Sequence, residues 1–125
     1  MPDQSPPRKL SAILYADVAG YSKLTGEDEE GTHQRLRRCL AAADECIERY
    51  HGRICHYAGD AVLVDFSSAV SALKCAVFMH EKFKQCNAEC VEDASLEFRI
   101  GINLGEVIVD GKEIYGDSVN IAARL

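Results

Sequence analysis

The sequence predicts an α+β fold: a ferredoxin-like βαββαβ core with extra elements, incomplete at the C-terminus. Three observations predict it. Apolar residues recur at helical spacing in two long stretches, Leu36 to Tyr50 and Val70 to Phe83. Apolar or alternating runs of strand length lie before, between and after those stretches. The two runs between the helices are separated only by Ala58, Gly59 and Asp60, which demands a tight antiparallel hairpin. Strand, helix, hairpin, helix, strand is the order of the split βαβ unit.

Residues Met1 to Lys9 carry all three prolines and read as a flexible tail, so the domain runs from residue 10 to residue 125. Ser11 to Val18 is an apolar run interrupted near its end by Asp17, the mark of a central strand. Ala19 to Gly26 reads as a glycine-containing turn. Glu27, Asp28, Glu29 and Glu30 then suit the N-terminus of a helix through its macrodipole. That helix shows Leu36, Cys39, Leu40, Ala43, Cys46, Ile47 and Tyr50 on one face and stops near His51, with Gly52 expected at C′.

Arg53 to Tyr57 and Ala61 to Phe66 form the hairpin, and Gly59 at the first central position predicts a type II′ turn. Ser67 or Ser68 caps the second helix, whose expected apolar face is Val70, Leu73, Val77, His80 (or Met79) and Phe83. Asn87 to Ala94 is a polar connection. Leu96 to Leu104 alternates as a strand, Gly105 allows a turn, and Glu106 to Val109 returns. Gly111, Lys112 and Glu113 form a loop, and a last helix begins near Asp117 or Ser118.

The chain of 125 residues is 47% hydrophobic and 27% charged, which fits one globular domain. A net charge of −6 speaks against a nucleic-acid partner, which calls for a basic face. An acidic chain receives phosphates best with a divalent cation between. No apolar leader and no membrane-length apolar stretch is present in this segment, so a cytoplasmic setting is expected. The six cysteines lack paired zinc-ligand spacing and read as small apolar residues of a reduced protein.

The topology has a chemical consequence. A right-handed β-α-β crossover leaves a gap that the third strand fills, antiparallel to the first. The end of the first strand, with Asp17, then meets the hairpin, with Asp60. Two adjacent carboxylates repel unless a proton or a cation lies between them. Hard oxygen ligands favour Mg²⁺ or Mn²⁺, which completes its shell with water and phosphate. In the last helix Asn120 and Arg124 are four apart and share a face. They suit a phosphate or a sugar, or they are simply solvated.

Y-A-D-V-A-G-Y-S-K-L, H-G-R-I-C-H-Y-A-G-D-A-V-L-V-D-F, F-R-I-G-I-N-L-G-E-V and I-Y-G-D-S-V-N-I-A-A-R-L together resemble the class III nucleotidyl cyclase catalytic domain, in the family's order. The resemblance covers nearly all of residues 10–125. It implies that Asp17 and Asp60, with the carbonyl of Val18, hold two divalent metals, Mg²⁺ or Mn²⁺. It implies that Ala19, Gly20, Tyr21 and Ser22 contact the phosphates, that Asn120 orients the ribose, and that Arg124 stabilises the α-phosphate in the transition state. His56 and Glu113 occupy the two purine-selecting positions. Adenine-selecting members usually carry Lys and Asp there, and guanine-selecting members Glu and Cys.

The family's site is shared between two head-to-tail subunits, the aspartates from one and the remaining groups from the other. The implied reaction converts ATP, or GTP, to the 3′,5′-cyclic nucleotide and pyrophosphate. Glu113, as a carboxylate, favours ATP. The alternatives are a GTP-using cyclase and a silent nucleotide-binding or dimerisation module of the same fold. A cyclic dinucleotide synthase is disfavoured because A-G-D-A-V lacks that class's double glycine and acidic pair. The family domain continues beyond its A-A-R-L helix, so the resemblance implies an N-terminal portion of such a domain.

Overall fold

The structure, a computed structural model, describes residues 7–88 and 96–125. Its elements are β1 (Arg8–Val18), α1 (Tyr21–Glu27), α2 (Glu29–Arg49), β2 (Arg53–Ala58), β3 (Ala61–Phe66), α3 (Ala69–Ala88), β4 (Phe98–Asp110), β5 (Glu113–Tyr115) and α4 (Asp117–Arg124). The strands form one antiparallel sheet in the order β2-β3-β1-β4-β5. The expected α+β core is present, with β3 in the gap beside β1.

The two faces of the sheet carry different loads. On one face α2 and α3 cover Leu14, Ala16, Val18, Val62, Val64 and Phe66, all nearly or fully buried. Burying each such side chain contributes about 1.5–3 kcal/mol for the larger ones. The opposite face is smaller: Ile13, Cys55, Leu63, Val107 and Ile114 surround Ala122 of α4. The sheet curls around this second face until its two edge strands touch. Arg53 Nη1 of β2 donates to the Lys112 carbonyl at 2.7 Å, in the turn between β4 and β5.

Several local readings hold. Asp28 caps α2 by accepting from the Gly31 amide at 3.1 Å, just before Glu29 and Glu30. Ser68 caps α3 by accepting from Ser71 N–H at 3.2 Å. Gly59 has φ 60° while Asp60 stays out of the left-handed region, as a type II′ turn requires. Cys39, Cys46, Cys55 and Cys75 are buried thiols, and burial pushes the Cys75 thiol up to about 12.

Other readings are corrected. β1 begins at Arg8, so Arg8 and Lys9 are strand residues rather than tail; residues 1–6 lie outside the described residues, as does 89–95 of the polar connection. Tyr21–Glu27 is a helix, not a turn, entered through Gly20 at φ 64°. The C′ residue of α2 is His51, left-handed at φ 61°. Its N–H donates to the Glu48 carbonyl and that of Gly52 to the Ile47 carbonyl, a Schellman ending shifted by one residue. Gly52 serves packing instead, since a Cβ there would lie 2.7 Å from the Phe66 ring.

Helix α3 buries Ala72, Cys75, Met79 and Phe83. Val70, Leu73 and Val77 are exposed, and so is His80.

The last strand is also different. β4 runs unbroken through Gly105 and pairs with all of β1, from Arg8↔Ile108 to Val18↔Phe98. The returning strand is β5, which contains Glu113. Gly101 and Gly105 are a shelf for α4: added Cβ atoms would lie 2.3 Å from the Ala122 carbonyl oxygen and 2.2 Å from Ser118 Oγ.

Candidate active site

Three clusters collect the expected site residues. The first lies where β1 ends. Asp17 is half-buried there, opposite Arg99 in the β1–β4 register. The hairpin brings Asp60 alongside, and its Oδ2 accepts the Val18 N–H at 2.9 Å. The buried Val18 amide therefore fixes the second carboxylate relative to the strand that carries the first. Next in the chain, Ala19 N–H donates to the Glu97 carbonyl at 2.8 Å, and Gly20 turns the backbone into α1, whose first residues are Tyr21 and Ser22.

Two residues join this cluster that the sequence reading did not single out. Arg99 grips Asp17 with Nε on Oδ1 at 2.9 Å and Nη2 on Oδ2 at 3.0 Å. The bond to Asp17 raises the guanidinium's pKa further. Tyr15 stands two residues before Asp17 on the same face. Burial, then Asp17 and Asp60, push its phenol up, against the pull of Arg99. The available signal was register: a charged Arg99 inside an apolar strand becomes significant once that strand is placed opposite Asp17.

The donor set suits a hard divalent cation. Two carboxylates and nearby backbone carbonyls are all oxygen. Among the described residues no group of three or more His, Cys, Asp or Glu forms a closed cage.

The second cluster lies where the sheet edges meet. His56 Nδ1 is 3.3 Å from both carboxylate oxygens of Glu113. The third is α4, where Asn120 and Arg124 are both exposed, one turn apart. Its last turn reaches the first cluster. A cavity of about 90 Å³ is lined by Tyr15, Asp17, Arg99, Gly101 and residues 122–125, including Arg124. Asn120, His56 and Glu113 do not line it.

Comparison with known proteins agrees with this geometry. Residues 4–125 match the family described as "Adenylate and Guanylate cyclase catalytic domain". The chain is 39% identical over 126 residues to "Putative adenylate cyclase 3" of Rhizobium meliloti (strain 1021), covering 100% of this chain and 22% of that one. It therefore spans about a fifth of that relative. A solved adenylate/guanylate cyclase/hydrolase from Silicibacter pomeroyi superposes with TM-score 0.87 at 35% identity, covering 96% of this chain and 70% of that one. The guanylyl cyclase Cya2 superposes with TM-score 0.83 at 26% identity, covering 97% and 71%. No helix among the described residues is long and apolar enough to cross a membrane.

Proposed function

The chain belongs to the adenylate and guanylate cyclase catalytic-domain family, and from that premise we propose that it supplies the active-site residues of an enzyme converting ATP to 3′,5′-cyclic AMP and pyrophosphate. The observation that carries the reading is the convergence of Asp17 and Asp60 at the end of β1, tied by the Val18 amide and faced by Arg99. Two Mg²⁺ or Mn²⁺ ions held by Asp17, Asp60 and the Val18 carbonyl would activate the ribose hydroxyl and neutralise the triphosphate.

The chain's own residues divide the remaining work. The backbone of Ala19, Gly20, Tyr21 and Ser22 receives the phosphates beside the aspartates. Asn120 orients the ribose so that its 3′-oxygen lies in line with the α-phosphorus. That oxygen loses its proton and bonds phosphorus as the bond to pyrophosphate breaks. Arg124 places a fixed positive charge where negative charge grows on the α-phosphate, a preorganised contribution commonly worth 10²–10³ in kcat. Glu113 and His56 read the base edge.

The site is shared by two head-to-tail copies in this reading. The family resemblance supports it; within one copy Arg124 lines the cavity at Asp17, while Asn120, His56 and Glu113 do not. ATP is favoured over GTP because Glu113 offers a carboxylate to the adenine amino group, and because the relative at 39% identity carries an adenylate cyclase name. The test is kcat/KM for ATP and GTP in the full-length protein with Mg²⁺ and with Mn²⁺. ATP is expected to be preferred, and a higher value for GTP overturns the assignment.

A further inference from the structure

Arg53 sits in β2, away from both the carboxylate cluster and α4, and the sequence gives it no role. In the structure it spans the opening of the curled sheet. Nη2 donates to Oδ2 of Asp65 at 3.0 Å, and Nη1 donates to the Lys112 carbonyl at 2.7 Å. Asp65 is a rigid anchor: its side chain is only 3% exposed, and it also accepts from Lys9 and Ser11. A planar guanidinium held on one side by a buried carboxylate has its other donors aimed by that contact. The contact fixes the carbonyl one residue before Glu113.

That placement bears on His56. β5 is only three residues long and pairs with β4 alone. Ile114 anchors it to the inner core, while from β2 His56 reaches it and Arg53 reaches the turn before it. Glu113 then meets His56 at Nδ1. A carboxylate only accepts, so Nδ1 carries the proton and Nε2 is the nitrogen left for substrate. In the neutral ring that nitrogen is an acceptor. It therefore matches a donor on the base edge, and adenine's amino group offers two N–H, one for Glu113 and one for His56.

We propose that Arg53, braced by Asp65, is a specificity-positioning residue that holds the β4–β5 turn against β2 and so fixes which nitrogen of His56 faces the nucleobase. The proposal rests on the reading of His56 and Glu113 as base contacts and adds the group that sets their polarity.

The experiment pairs ¹⁵N-histidine NMR with ATP and GTP kinetics on the full-length protein. Arg53→Lys is the main variant. It keeps a charge for Asp65, but a single ammonium cannot reproduce the fork that spans Asp65 and Lys112. Arg53→Met serves as a second variant. The unmodified protein should show His56 protonated at Nδ1, and Arg53→Lys should move that signature toward Nε2–H. The ATP-to-GTP ratio of kcat/KM should shift by roughly tenfold, with KM rising more than kcat falls, as for a small misplacement of a binding group. An unchanged His56 signature in both folded variants overturns the positioning role. A changed signature with the same base preference in Arg53→Lys and in His56→Ala overturns the base reading, and the proposal with it.

Discussion

Arg99 closes two donors on the two oxygens of Asp17, at 2.9 and 3.0 Å, at the point where β1 meets β4. The arginine side chain is 62% exposed and the aspartate's 19%. A divalent cation seeking Asp17 competes with this guanidinium. Because the pair faces water on one side, its worth is modest. Arg99→Ala is therefore expected to strengthen Mn²⁺ binding about threefold in the absence of nucleotide. Titration followed by electron paramagnetic resonance measures it, and weaker binding would show that Arg99 does not compete.

Asp60 has two tasks that can be separated. Removing its carboxylate in Asp60→Ala should abolish metal-dependent turnover. It also strands the buried Val18 N–H, which costs about 1 kcal/mol of stability. Asp60→Asn keeps an acceptor for that N–H and should restore most of the stability but not the turnover. Thermal unfolding alongside activity assays distinguishes the two, and full activity in both Asp17→Ala and Asp60→Ala would sink the carboxylate reading.

A shared site predicts complementation. Asp60→Ala and Arg124→Ala should each be inactive alone. Mixed in equal amounts, half the dimers are heterodimers, and each keeps one intact site out of two. The mixture should regain about a quarter of the unmodified activity, as two-fold symmetry requires. Proven heterodimers without activity would count against sharing.

The shelf under α4 is testable without touching a polar group. Gly101→Ala puts a Cβ 2.3 Å from the Ala122 carbonyl oxygen, so the helix that bears Asn120 and Arg124 must move. Overpacking of this kind costs about 1–3 kcal/mol. The fall in kcat should exceed the rise in KM. A variant with unchanged kcat would mean that the seat of α4 does not set the placement of Arg124.

Asp65 gives a pH dependence whose sign is fixed. Burial pushes its carboxyl up, but hydrogen bonds from Lys9, Ser11 and Arg53 outweigh burial and leave it below the ordinary range. A depressed folded value means the ionised form is favoured in the folded state. The stabilisation is whole above about pH 4, the ordinary aspartate value, and is lost as pH falls through the folded value. Asp65→Asn should destabilise by about 2 kcal/mol at pH 7, and the gap from the unmodified protein should narrow in acid. Denaturant melts at several pH values measure this.

The sequence was legible where a local signal had a single physical cause. The acidic run before α2, the serine before α3 and the Gly59-Asp60 turn each act through neighbours a few residues away, and each appears as read. Asp17 beside Asp60 was also legible, because handedness leaves one place for β3. Glycine was the ambiguous letter. Gly105 looks like a turn and is a packing surface; Gly52 looks like a helix end and makes room for Phe66. Val70, Leu73 and Val77 recur at helical spacing, and so do Ala72, Cys75, Met79 and Phe83, and apolar spacing alone does not choose between the two faces. Arg99 and Arg53 were invisible because their meaning comes from strand register and from the meeting of two sheet edges.

The pairing of β1 with β4 also bears on how the protein is made. Arg8 waits for Ile108 and Val18 for Phe98, partners 80 to 100 positions later in the chain. At synthesis rates of about 5–20 residues per second, β1 leaves the ribosome roughly 5–20 s before its longer partner. β3 arrives earlier and can cover one edge; the other stays open until β4 emerges. Nascent chains stalled before residue 98 should therefore display a naked apolar strand, and the yield of native protein in the cell should depend on chaperones that hold extended segments.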